Sequence, residues 1–168
     1  MPSSDWALAL AYWLHMLATV VWIGGLTTLV LLVLPAAQRT LESQAFIALL
    51  DALQRRLDPL GWFCLILLVG TGLFQMSASP NYQGFLAIDN RWAMAILVKH
   101  VLFLVMIAAN AYLTWGLLPG MRRMALLLAR GKDAPGAVHL QRRNLWLLRC
   151  NLALSVFILA LTALARVS

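Results

Sequence analysis

The chain has 168 residues, 62% of them hydrophobic and only 11% charged, with a formal net charge of +7. That composition is too apolar for a soluble domain and fits a small polytopic membrane protein. The positive charge falls almost wholly between apolar segments, where basic residues set orientation and meet anionic lipid, so nucleic acid is excluded as an expected partner.

The first apolar run, Trp6 to Leu34, carries no formal charge. About 20 apolar residues cross the ~30 Å hydrocarbon core of a bilayer, so this run spans it. The preceding Met-Pro-Ser-Ser-Asp lacks the basic region of a signal peptide, and the run is far longer than a signal core; a retained span without cleavage is expected. Its one side chain able to bind a proton or a metal is His15, and an ionisable group inside a span marks a site by default. Thr19 and Trp22 share the face of His15, and Gly24-Gly25 permits close helix approach.

Three further apolar segments follow: Leu60 to Ala78, Trp92 to Leu118 and Leu145 to Ala165. Pro35 ends the first span, Asp58-Pro59 opens the second, Ser79-Pro80 closes it, and Pro119-Gly120 closes the third. The expected fold is all-α, a four-helix membrane bundle forming a single domain over residues 1–168. Between spans one and two, Leu41 to Leu57 puts Phe46, Leu49, Leu50, Leu53 and Leu57 on one helical face, with Glu42, Asp51 and Arg55 away from it. Met121 to Arg130 mixes Met124, Leu127 and Leu128 with arginines. Each is either a helix lying on the membrane surface or an extension of the neighbouring span. The remaining connection, with Tyr82, Phe85, Leu86 and Ile88, is apolar enough to fold over the bundle's end.

Orientation follows from the basic residues. The first connection holds Arg39, Arg55 and Arg56, and the third holds Arg122, Arg123, Arg130, Lys132, Arg142 and Arg143; the second, up to Arg91, holds only that arginine. The positive-inside rule then puts connections one and three in the cytoplasm, against anionic lipid, and both termini on the outer, periplasmic side of a bacterial inner membrane. Trp6 and Trp92 mark the outer belt; Trp62, Trp115 and Trp146 mark the inner one.

Spans one and three run parallel in this topology. His15 lies nine residues beyond Trp6 and His100 eight beyond Trp92, so both sit ~12 to 14 Å in from the outer belt at 1.5 Å per residue. Two imidazoles at one depth permit coordination of a small metal ion, or axial ligation of a haem from both faces. Lys99 adjoins His100, and at 100° per residue the two point different ways. Lys99 shares a face with Phe103, Met106 and Asn110, a stripe expected to point into the bundle. Lys99 can balance a carboxylate such as a haem propionate, ligate metal once deprotonated, or snorkel outward. The rotation of span three decides whether His100 or Lys99 meets His15.

Met16, Met76 and Met94 fall near the depth of His15, and thioether with imidazole suits Cu(I); methionine is equally a core filler. Span four carries Asn144, Asn151, Ser155 and Thr162 as a continuous polar edge of the kind that packs between helices. Cys64 and Cys150 lack any CxxC or Cys/His spacing and read as packing residues.

The stretch from His15 through Trp22 to Gly24-Gly25, Gly70-Thr71-Gly72 in the second span, and Trp92 through Lys99 to Asn110 resemble the copper-resistance D (CopD) type of membrane domain. That family joins H-x6-W-x-G-G in a first span, T-G in a second and a lysine midway into a third. The His-to-Trp spacing and third-span lysine are also similar to small membrane protoporphyrinogen oxidases that carry b haem, in which His15 would match a haem ligand and Lys99 a residue needed near it. Both relatives tend to place a glutamate in the fourth span, where this chain reads Arg149-Cys150-Asn151-Leu152; a proton-coupled oxidase mechanism loses its acid there. His100 belongs to neither motif.

The leading expectation is therefore a CopD-like protein handling copper, or holding a redox metal centre, in the outer half of the bundle. His15 is the ligand, His100, Met16 and Met94 are further candidate metal ligands, and Lys99 with Trp22 and Asn110 completes the cofactor surroundings. The alternatives are a b-haem protein, as electron carrier or as an oxidoreductase of porphyrinogen type, and a structural subunit of a homo-oligomer or larger membrane complex. No hydrolase or transferase constellation is visible, since the outer side holds only the acids Asp5 and Asp89, both at interfaces.

Overall fold

The computed structural model describes residues 3–79 and 91–167. The connection around Tyr82 and Phe85, with Asp89, lies outside the described residues, as does the side chain of Trp92.

Four helical rods account for nearly all of the described chain. Rod α1 runs as Ser3–Thr27, widens into a π-helical stretch at Thr28–Val33 and ends as Leu34–Thr40. Rod α2 is one helix, Ser43–Ser77. Rod α3 repeats the plan of α1, with Arg91–Ala111, a π stretch at Tyr112–Leu117 and Leu118–Ala129. Rod α4 is Ala137–Val167.

The prolines do not end the rods. Pro35 and Pro119 each sit in the first turn after a π stretch, and Pro59 lies inside α2. Proline lacks the N–H that an α-helix needs four residues on. A wide turn just before it shifts the ladder by one residue: Leu34 N–H bonds to Leu29 O, and Leu118 N–H to Leu113 O. The helix thereby passes the missing donor, as π-bulges allow. Leu34-Pro35 and Leu118-Pro119 stand at corresponding places in the two halves.

Consequently Leu41 to Leu57 and Met121 to Arg130 are extensions of spans, not separate surface helices. Leu41 itself is the extended residue that joins α1 to α2. The membrane-competent stretches run Asp5–Thr40, Ser43–Ser77, Ile96–Ala129 and Ala137–Leu164. At 1.5 Å per residue the longest is ~54 Å, so each rod outreaches a ~30 Å hydrocarbon core and carries the arginine-rich connections clear of it. The outward faces are apolar: Val20, Ile66, Leu104 and Phe157 are 68%, 68%, 64% and 62% exposed, as lipid contact requires.

Rod α1 packs chiefly on α2 and α3 chiefly on α4, while α2–α3 and α1–α4 contacts close the bundle. The core has two parts. Leu34, Phe46, Leu50, Leu117 and Met121 fill the arginine-rich end, and Ala18, Trp22, Cys64, Leu65 and Met106 fill the middle. Phe46 and Leu50 face inward as the sequence pattern requires, but Asp51 is also buried. Its carboxylate turns into the seam between α2 and α3, where Arg55 Nη2 at 2.8 Å and Arg122 Nε at 3.3 Å neutralise it. The arginine on the neighbouring rod, which the pattern of α2 alone does not contain, makes that burial tolerable.

Candidate functional site

His15 is half-buried on α1, and its ring turns onto α2. Gly72 leaves room there: a Cβ at that position would lie 3.4 Å from His15 Cε1. Beside it in the chain, Thr71 Oγ1 donates back to Leu67 O of its own helix and sits 2.8 Å from His15 Nδ1. A hydroxyl has one proton, and this one is already given to Leu67. His15 Nδ1 is therefore the donor to Thr71, and the lone pair lies on Nε2. A hydrogen bond at one ring nitrogen fixing the tautomer of the other is how a histidine is set up as a metal ligand. Thr19 Oγ1 bonds to His15 O at 2.8 Å, and Gln75 Nε2 to Ala11 O at 3.1 Å, tying this part of α1 to itself and to α2.

Of the two candidates on α3, Lys99 stands within Coulombic reach of His15. His100 Nδ1 donates to Ile96 O of its own helix at 2.7 Å. The stripe below Lys99 behaves as the sequence predicts: Met106 and Asn110 are buried and Phe103 packs against the mid-bundle core. Met16 and Met94, by contrast, are 60% and 55% exposed on the outside of the bundle, and Met76 is partly buried. The structure thus gathers His15, Thr71 and Gly72, with Lys99 within Coulombic reach, and leaves the two methionines facing outward. Among the described residues no three His, Cys, Asp or Glu side chains come together as a metal cluster.

Trp22 is buried farther along α1, where its Nε1 donates to Ser155 Oγ at 3.0 Å. Ser155 in turn faces Met106 Sδ at 3.3 Å and Asn151 O at 2.8 Å. The polar edge of span four is an inward seam, with Asn144, Asn151 and Ser155 all buried. Gln54 Nε2 meets Asn144 Oδ1 at 3.0 Å. Beyond it, Trp62 Nε1 donates to Thr114 Oγ1, which donates to Asp58 Oδ1, and Trp62 stacks on Trp115 with ring centroids 5.2 Å apart. Trp62 and Trp115 thus form a packed polar–aromatic unit, not two independent anchors.

The sequence pattern did not single out Gln54 as a buried residue or Asp58 as the partner of Thr114. The signal was present: Phe46, Leu50, Gln54, Asp58, Gly61 and Leu65 follow one another at helical spacings of three or four. Reading Pro59 as a helix start cut that row in two.

A b haem held between His15 and His100 does not fit these residues. His15 turns to α2, and His100 bonds back to its own helix. The cavity opening into the core has about 90 Å³ and neither histidine lines it, whereas cofactor pockets take ~300 Å³ or more.

A model of the copper resistance protein D family, CopD, matches residues 51–165, more than half of the chain. The chain belongs to the CopD family. It is accordingly a multi-pass membrane protein of a copper-resistance family, with four helices able to span. The CopD match covers α2, with Thr71 and Gly72, α3 with Lys99, and α4, while His15 stands before its first residue. Neither the curated proteins nor the solved structures hold a significant match to this chain.

Proposed function

We propose that this CopD protein binds copper as cargo at His15, in the half of the bundle remote from the arginine-rich connections. With the positive-inside rule, that half faces the periplasm and both termini lie there. The observation that carries the reading is the tautomer of His15: Nδ1–H is held by Thr71, whose own proton is committed to Leu67 O, so Nε2 keeps its lone pair for a metal. Family membership supplies the metal. An imidazole without a thiolate beside it accepts Cu(I) or Cu(II), and the nearby Lys99 ammonium opposes tight retention of either cation. A ligand that holds copper loosely suits a protein that passes it on.

The test is copper stoichiometry of the purified protein in lipid nanodiscs, measured by competition with a coloured Cu(I) chelator. The wild type should retain copper, and His15→Ala should lose one equivalent while keeping its elution profile. Unchanged copper content in His15→Ala would remove the role assigned to this residue. A Soret band in gently isolated protein, weakened by the same substitution, would favour haem instead.

A further inference from the structure

Rod α4 carries arginines but no aspartate or glutamate over Ala137–Val167. Arg142, Arg143 and Arg149 stand toward its arginine-rich end. The apolar segment Leu145 to Ala165 has Arg149 as its one charged residue, four positions in, or ~6 Å at 1.5 Å per residue. On α2, Arg55 and Arg56 follow directly on Gln54, which bonds to Asn144 of α4. The arginines of α2 therefore stop near the level of Asn144, and Arg149 lies about a turn deeper in the membrane.

Helix rotation decides what these arginines face. Asn144, Leu148, Asn151 and Ser155 are buried and mark the inward face of α4. Arg149 stands ~100° from Leu148 around the helix. It is exposed, and among the described residues no acid pairs with it. Arg142, seven positions earlier and also exposed, comes within ~20° of the same direction. Trp146 lies between the two, 62% exposed. Arg143 leaves on the other flank, where its guanidinium lies over the Tyr112 ring of α3, 5.1 Å from the centroid. Arg142, Trp146 and Arg149 thus form one outward stripe with two positive charges, and Ala153 and Val156 continue it, exposed, toward the middle of the rod.

An arginine at this depth on the outside of a bundle is costly unless an anion meets it. Helical side chains lean toward the N-terminus of their helix, which in α4 is the arginine-rich end. Arg149 accordingly reaches back toward Trp146 and the interface, the depth of lipid phosphates and of amphipathic indole rings. A planar guanidinium takes two phosphate oxygens at once, and an indole N–H is a further donor. Arg142 sits ~10 Å farther out, where a lipid headgroup projects beyond its phosphate. The ammonium of a zwitterionic headgroup meets a like charge there, whereas a glycerol headgroup does not.

We propose that Arg142, Trp146 and Arg149 on α4 form a binding site for one anionic phospholipid of the leaflet at the arginine-rich end. Arg149 and the Trp146 indole hold its phosphate, Arg142 selects a headgroup without a cation, and an acyl chain runs along Ala153 and Val156. The site is separate from His15 and does not depend on the copper reading.

Native mass spectrometry of the full chain, released from nanodiscs of equal parts phosphatidylglycerol and phosphatidylcholine, reads the bound lipid directly. The wild type should retain one phosphatidylglycerol, in several-fold excess over phosphatidylcholine. Arg149→Gln should lower that occupancy about fivefold, the worth of one arginine near an anionic surface. Arg149→Lys should recover only part of it, because an ammonium makes no bidentate pair. Arg142→Gln should keep a lipid but lose the preference, with phosphatidylcholine rising to match. Arg123→Gln, at an exposed arginine on α3 outside the stripe, should behave as the wild type. Equal retention of the two lipids by the wild type, or unchanged phosphatidylglycerol in Arg149→Gln, would overturn the site. An equal loss in Arg123→Gln would overturn it too, leaving only the general attraction of a basic end for an anionic surface. An unchanged thermal midpoint in phosphatidylcholine nanodiscs separates lost lipid from lost fold in each variant.

Discussion

Replacing Thr71 by valine keeps the shape of the side chain and removes the oxygen that receives His15 Nδ1–H at 2.8 Å. Two consequences follow. The fold loses two part-buried hydrogen bonds, from His15 and to Leu67 O, each worth about 0.5–1.5 kcal/mol net. Metal binding loses affinity as well, because the imidazole is then free to turn and to exchange tautomers. Removing the hydrogen-bond partner of a ligating histidine costs about 10- to 100-fold in metal affinity, which is roughly 1.4–2.7 kcal/mol at 1.36 kcal/mol per tenfold. Cu(I) affinity measured by chelator competition should therefore fall by that factor in Thr71→Val, together with a lower thermal midpoint. Thr71→Ser, which keeps the oxygen, should restore most of it. Wild-type affinity in Thr71→Val, alongside a lost equivalent in His15→Ala, would refute the argument that Thr71 sets the tautomer.

Two further substitutions test neighbouring parts of the account. A like charge within Coulombic reach opposes a bound cation by on the order of 1 kcal/mol at an effective dielectric of ~20, so Lys99→Met should tighten copper at His15 by about an order of magnitude in the same competition assay; weaker binding would make Lys99 a ligand instead. A Cβ added at Gly61 would lie 2.9 Å from Trp22 Cζ3, on a ring pinned through Ser155, whereas one at Gly70 meets nothing within 4 Å. Gly61→Ala should cost about 1–3 kcal/mol of overpacking, seen as a lower thermal midpoint in nanodiscs, and Gly70→Ala should leave the midpoint unchanged or raised; equal midpoints for the two would show that the Trp22 contact is slack.

The four spans were legible in the sequence because lipid imposes a simple condition: each crossing must be a long apolar helix with its backbone bonded internally. His15 was legible for the same reason, as the one imidazole of a run without formal charge. The inward stripe of Met106 and Asn110 followed from helical periodicity. Periodicity orders residues around one helix, however, and does not say which neighbour each face meets. That Lys99 stands near His15, that His15 turns to Thr71 on α2, and that Met16 and Met94 face outward were decided by how the rods rotate against one another. The prolines show the limit most directly. A missing N–H reads as a helix end when only local bonding is considered, yet in α1 and α3 a π turn carries the helix past it, and α2 continues as one helix through Pro59. That continuation is what buries Gln54 against Asn144 and brings Asp58 to Thr114. The hydrocarbon thickness is written into the chain residue by residue, whereas a cavity shared by four rods exists only once all four are in place.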